Sequence, residues 1–182
     1  MTELMLRDTA AAHDLNYVAL RYFNVAGADP AGRSGQSTPR ATHLIKVACE
    51  TALGKRDHMS VFGTDYETSD GTCLRDYIHV SDLVGAHVDA LTYLRDGGES
   101  QVFNCGYGKG YSVLEVVSAV EKACGHKMDV RMAERRPGDP AEIVANADRA
   151  RATLGWQPKH ADLDLIVNTA LDWEKHLQIR NG

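Results

Sequence analysis

The chain has no apolar run near the roughly 20 residues that a bilayer-crossing helix requires. Its first residues, Met1-Thr2-Glu3-Leu4-Met5-Leu6-Arg7-Asp8, lack the basic stretch and unbroken apolar segment of a secretory leader. A cytoplasmic protein with no membrane partner is expected. Cysteine is sparse: Cys49, Cys73, Cys105 and Cys124 form no C-x-x-C pair, and no nearby histidine completes a zinc-ligand spacing. They read as small buried residues of a reducing compartment rather than as a disulfide framework. The eight histidines include no H-x-x-x-H pair, and no G-x-S-x-G elbow marks a nucleophilic serine, so neither a metal site nor a serine triad is expected. An excess of positive charge is missing too. The 20 Lys and Arg face 25 Asp and Glu, which argues against binding nucleic acid by bulk charge but leaves a local basic pocket open. Repeats and low-complexity stretches are absent.

What is present is an ordinary globular composition, 43% hydrophobic and 25% charged. At 182 residues the chain suffices for one core, or for one domain and part of another. Strand and helix signals alternate, which makes the class α/β. A helix is expected over 2–13, and the nearly continuous apolar run 17–23 reads as a strand buried on both faces of a parallel sheet. After a polar loop over 27–39 come a helix at 42–53, a strand at 59–62, a loop at 63–72 and a strand at 76–80. Ser81 is placed to cap the next helix, whose Leu83, His87, Leu91 and Leu94 recur at helical spacing. A strand at 101–104 leads to a glycine-rich turn, and Ser112 with Glu115 spells a capping box for a helix ended by Gly125. A strand over 128–132, a loop at 135–140 and two short helices complete the pattern. The first of those helices is capped by Asn146 and stopped by Gly155; the second carries Leu165, Ile166, Thr169, Trp173 and Leu177 on one face. The 17–23 run has central character, yet too little chain precedes it to supply neighbours, so further chain upstream is expected.

Few residues announce chemistry by themselves. Gly106-Tyr107-Gly108-Lys109-Gly110 lies between a strand and a helix, but its G-x-G-x-G spacing differs from the dinucleotide G-x-G-x-x-G, and a plain turn is the better reading. Arg75 and Arg136 stand alone at a strand edge and in a loop. A guanidinium offers a planar fork of donors that fits phosphate oxygens, and Asp139 nearby can accept from sugar hydroxyls. An isolated arginine is more often a solvated surface group, and composition cannot bring these two together.

Read in order, several stretches resemble one family. They are Leu20-Arg21-Tyr22-Phe23-Asn24-Val25-Ala26-Gly27, Val61-Phe62-Gly63-Thr64-Asp65-Tyr66, the block from Asp70-Gly71-Thr72 through Arg75-Asp76-Tyr77-Ile78-His79-Val80, and Arg135-Arg136-Pro137-Gly138-Asp139. Together they are similar to the UDP-glucose 4-epimerases of the extended short-chain dehydrogenase/reductase superfamily. The D-G-T-x-x-R-D-Y-I-H-V block is the most specific of them. The resemblance implies a remnant of a Rossmann-type NAD-binding domain over 1–28 and mainly a UDP-sugar-binding domain over 29–182, with possible returns to the Rossmann sheet.

For single positions, the resemblance places Tyr22 and Phe23 near the nicotinamide of NAD and Asn24 against the sugar nucleotide. Leu44 would line the site, with His43 standing where many relatives carry Asn. Ser60, Val61 and Phe62 would lie against uracil, Arg75 and Arg136 would hold the diphosphate, and Asp139 would meet the ribose. Ile143 falls where sugar size is limited. UDP-glucose and UDP-galactose are the implied ligands, interconverted through an NAD-dependent 4-keto sugar, and the family is often homodimeric. Its acid/base Tyr and NAD-holding Lys, a Y-x-x-x-K pair, find no match here. The expected register puts Met1 two residues past that Lys, and a chain inactive alone is expected. Two rivals remain: a related sugar-nucleotide dehydratase or decarboxylase, and a non-catalytic UDP-sugar-binding module.

Overall fold

The computed structural model describes residues 1–181. The chain begins with α1 (Thr2–Ala12), β1 (Val18–Arg21), β2 (Asn24–Ala26), α2 (Leu44–Ala52) and β3 (Met59–Phe62). It continues through β4 (Leu74–Arg75), β5 (Tyr77–His79), α3 (Val80–Arg95), β6 (Gln101–Asn104), β7 (Tyr111–Ser112) and α4 (Val113–Cys124). The last elements are β8 (Val130–Ala133), β9 (Glu142–Ile143), α5 (Asp148–Leu154) and α6 (Leu163–Asn181). β1 pairs with β6, β2 with β5 and β3 with β8, all parallel, as α/β crossovers require. A three-stranded patch runs β7-β4-β9, with β4 antiparallel to β7 and parallel to β9.

Helical periodicity explains the main core. Ile45, Ala48, Cys49 and Ala52 of α2 and Val116, Val117 and Val120 of α4 line inward stripes at i, i+3, i+4 spacing. They meet Leu163, Ile166, Val167 and Leu171 of α6, with Met59 and Tyr77 filling the gap. A second cluster sets Leu83 and Ala86 of α3 and Trp156 around Ile78 and Phe103, with Leu20 and Val25 packed against it. All four cysteines are free thiols; burial pushes Cys49 up to about 12 and Cys105 up to about 11, so neither is poised as a nucleophile.

The capping box at Ser112 and Glu115 is present, and Gly125 ends α4 at φ 81°, a left-handed conformation that glycine adopts without steric cost. Asp70-Gly71-Thr72 serves the same helix. The fully buried Thr72 hydroxyl accepts from the backbone N–H of Val113 at 3.1 Å, while Asp70 accepts from the Thr72 N–H and hydroxyl, each at 2.8 Å, and from the Ser112 hydroxyl. The first turn of α4 is thus capped from a loop about forty positions earlier in the chain.

Several expectations need correction. The 17–23 strand is not one strand buried on both faces: it breaks after Arg21, leaves Tyr22 and Phe23 exposed, and resumes as β2 beside a different partner. The 76–80 strand is shorter, β5 covering only Tyr77–His79: Asp76 stands between β4 and β5 with its side chain bound to other loops, and Val80 already opens α3. His79 rather than Ser81 caps α3; its ring nitrogen Nδ1 accepts from the Ser81 N–H at 3.1 Å. The buried face of α3 is Asp82, Leu83, Ala86 and Ala90, while Leu91 points outward. Asn146 lies one residue before the assigned cap but still accepts from the Asp148 N–H at 3.0 Å. The closing helix is not short, at 19 residues.

Thr72→Val keeps the shape of the side chain and removes the hydroxyl that Val113 needs. It is expected to cost about 1–3 kcal/mol, read as a lower urea midpoint with unchanged slope.

Candidate functional site

A cavity of about 620 Å³ opens between β2, α2 and α6. Tyr22, Phe23 and Asn24 form one side, His43 and Leu44 at the start of α2 another, and Tyr77, Trp173 and Glu174 close it. Parallel pairing sets Asn24 opposite Tyr77, which brings two distant motifs to the same wall. The side-chain nitrogen Nδ2 of Asn24 is buried and has no hydrogen-bond partner among the described residues. Buried donors are nearly always paired, so this one is a donor left free on the cavity wall. His43 bonds to Gln36 Nε2 at 2.9 Å through its Nδ1.

Behind this wall the buried Lys46 pairs with the buried Glu174, which also accepts from Lys55 at 2.9 Å. Burial opposes the charge on Lys46, but hydrogen bonds to Glu174 and Glu50 outweigh it and hold the ammonium above the ordinary lysine range. The pair joins α2 to α6.

A second group surrounds β4. Arg75, largely buried, forms an ion pair with Asp139, and the Arg136 guanidinium lies 3.8 Å from the centre of the Phe62 ring. Ile143 is the register partner of Arg75 across β4 and β9. Beside them Arg135 covers Tyr66 at 4.1 Å and bonds to Asp65. Two arginines, a carboxylate and an aromatic ring thus stand in paired contacts in this region.

Asp76 links the two groups. It is buried between Arg75 and Tyr77, and its carboxylate accepts from the backbone N–H groups of Tyr107 at 3.1 Å, Gly108 at 3.0 Å and Ala145 at 3.2 Å. The glycine-rich turn is therefore occupied by a carboxylate of this chain. A Cβ on Gly106 would lie 2.6 Å from Asp76 Oδ2, so the glycine there makes room for Asp76 and leaves no cradle for a dinucleotide pyrophosphate. The rings of Tyr22 and Phe23 at the cavity are half-exposed.

The expected site residues thus fall into two sets. Tyr22, Phe23, Asn24, His43 and Leu44 meet in the cavity, and Phe62, Arg75, Arg136, Asp139 and Ile143 meet around β4. Leu44 bridges them, since it also packs on the Val61 cluster. Val61 is fully buried with Tyr66 and Cys73; Ser60 is half-buried on the same strand. Sequence reasoning missed Tyr77, Gln36, Lys46, Trp173 and Glu174 as cavity residues. Tyr77 lay in the R-D-Y block, but nothing local signals an ion pair between positions 128 residues apart.

The family model described as NAD dependent epimerase/dehydratase family matches residues 1–106. The chain belongs to that family. A UDP-glucose 4-epimerase of Azospirillum brasilense is 63% identical over 178 residues, covering 98% of this chain and 51% of its own. A crystal structure of a UDP-glucose 4-epimerase superposes with a TM-score of 0.93 at 46% identity, over 99% of this chain and 54% of that one. The UDP-glucose 4-epimerase of Bifidobacterium longum, solved in complex with NAD+ and UDP, gives 0.87 at 39% identity over 96% and 52%. The chain spans about half the length of the relatives it matches. Within the epimerase/dehydratase family fold, the parallel pairs described above form part of a Rossmann-type α/β architecture.

Gly106→Ala is expected to drive Asp76 from its position and cost about 1–3 kcal/mol. Hydrogen exchange should show the amides of Tyr107, Gly108 and Ala145 losing protection together.

Proposed function

We propose that this chain is the UDP-sugar-binding part of a UDP-glucose 4-epimerase, the enzyme that interconverts UDP-glucose and UDP-galactose. The observation that carries this reading is the joining of two half-sites by Asp76: the Arg75, Arg136, Asp139 and Phe62 group for UDP, and the cavity with the orphan Asn24 amide for the hexose. In this reading the guanidinium groups of Arg75 and Arg136 take the diphosphate, Asp139 accepts from ribose hydroxyls, and Phe62 packs on uracil. Ser60 lies beside Phe62 on the same strand, and the buried Val61 supports that strand from within. Asn24 donates to the sugar nucleotide, with His43 and Leu44 beside it. Ile143, a branched aliphatic residue, bounds the sugar.

NAD, where bound, supplies reversible hydride acceptance at the sugar C4, and in this chain only Tyr22 and Phe23 are disposed to touch it. The residues present therefore do the remote work: they anchor the non-reacting UDP so that its binding energy positions the hexose. The chain contains no Y-x-x-x-K pair, so proton transfer from the 4-hydroxyl is assigned to residues outside it. The isolated chain is accordingly read as binding UDP without turnover.

Calorimetric titration with UDP and ADP tests this. Saturable binding of UDP with marked preference over ADP is expected, and Arg136→Ala should weaken it about 10–100-fold. A folded chain that ignores UDP, or that binds both nucleotides equally, would overturn the assignment. Turnover of UDP-galactose by the chain alone would instead contradict the division of labour.

A further inference from the structure

Outside the proposed site, a buried polar cluster joins α3, the segment before α6, and the cavity wall. The imidazoles of His79 and His160 stack with ring centres 4.6 Å apart and planes inclined by 20°. His79 is fully buried. Its Nδ1 accepts from the Ser81 N–H at 3.1 Å and its Nε2 lies 3.3 Å from the Thr169 hydroxyl of α6. A Cβ on Gly27 would lie 2.6 Å from the His79 ring, so this ring backs the cavity wall where β2 ends. His160 Nδ1 stands 2.7 Å from Asp82 Oδ1, and since a carboxylate only accepts, that nitrogen carries the proton. Asp82, also buried, takes further bonds from Tyr107 Oη at 2.7 Å and from the backbone N–H groups of Lys159 and His160.

This arrangement tolerates one charge and not two. A positive charge on His160 would face the Asp82 carboxylate. His79 cannot take one without loss: protonated Nδ1 has no lone pair for Ser81, the new charge would sit at the N-terminus of α3 where the helix dipole disfavours cations, and a cationic His160 would lie stacked against it. The titratable groups around His79 are His160, Asp82 and Tyr107, with Asp29 in the loop after β2.

We propose that the His79–His160 stack is an acid-sensitive latch that ties α6 and the cavity wall at Gly27 to α3, and that lets go when both imidazoles are charged. Burial, and then His160, hold His79 below the ordinary histidine range. A histidine depressed in the folded state makes a contribution that is complete above about pH 6.5 and lost as pH falls below that value, where the unfolded chain binds the extra proton.

The test follows the histidine ring nitrogens and backbone amides by NMR between pH 7.5 and 4.5, in the wild-type chain and in His160→Gln, which keeps a neutral donor toward Asp82. His79 is expected to titrate below an ordinary histidine, with the Ser81, Gly27 and Thr169 amides shifting at the same midpoint, and that midpoint should rise in His160→Gln. If the chain unfolds in acid first, its unfolding midpoint should move to lower pH in His79→Asn, whose carbonyl can still accept from Ser81. The latch is refuted if Ser81 and Gly27 stay unmoved while His79 titrates, if His160→Gln leaves its midpoint in place, or if acid unfolding is the same in His79→Asn.

Discussion

Everything near the site hangs on the buried carboxylate of Asp76. It stands where β4 gives way to β5, and by accepting three backbone N–H groups it fixes the turn after β6 and the segment after β9 against the same point. Its neighbours in sequence then have no freedom. Arg75 must face Asp139 on one side, and Tyr77 must stand beside Asn24 on the other. A carboxylate satisfied by several amides is among the stronger polar arrangements available in a protein interior, and leaving those amides unpaired would cost their full desolvation.

The same device recurs. Asp82 gathers a tyrosine, a histidine and two backbone N–H groups from the segment before α6, and Glu174 gathers Lys46 and Lys55 from around α2. The reason lies in the sheets. Their strands are two to four residues long, so backbone ladders alone hold little together. Buried carboxylates act as joints between elements that no ladder connects. Such joints are specific rather than strongly stabilising, since desolvating the charges consumes much of what the contacts return. They set which element meets which, and the apolar stripes of α2, α4 and α6 supply the driving force.

The α/β class, most helices and the capping box were legible in the sequence because each rests on local periodicity or a three-residue spacing, as at Ser112 and Glu115. The grouping of Arg75 with Arg136 and Asp139 was not legible from spacing; the family resemblance carried it. Misreadings occurred where tertiary contacts override local signals. Tyr22 and Phe23 look like strand interior, yet they stand exposed at a cavity mouth, because the chain changes sheet partners there. Ser81 carries the local cap signal, yet His79 is the cap, since its ring reaches the Ser81 amide. Nothing in the local sequence of Lys46 or Glu174 foretells a partner in another helix.

The paired state of the two arginines bears on how a diphosphate would be taken up. Arg75 is already neutralised by Asp139, and Arg136 already lies on Phe62. A guanidinium stays charged in any environment, so an Arg75 buried without a partner would be a standing penalty. Asp139 removes that penalty. Under the proposed function, a UDP ligand replaces each internal contact with an equivalent one: phosphate for Asp139 at Arg75, uracil for Arg136 at Phe62. The exchange conserves charge pairing, so affinity arises from the difference between two good arrangements rather than from the whole strength of either. Specificity benefits from the same exchange. A ligand that offers the diphosphate but not a base shaped for Phe62 must displace Arg75 from Asp139 without recovering the aromatic contact, and it binds correspondingly less well.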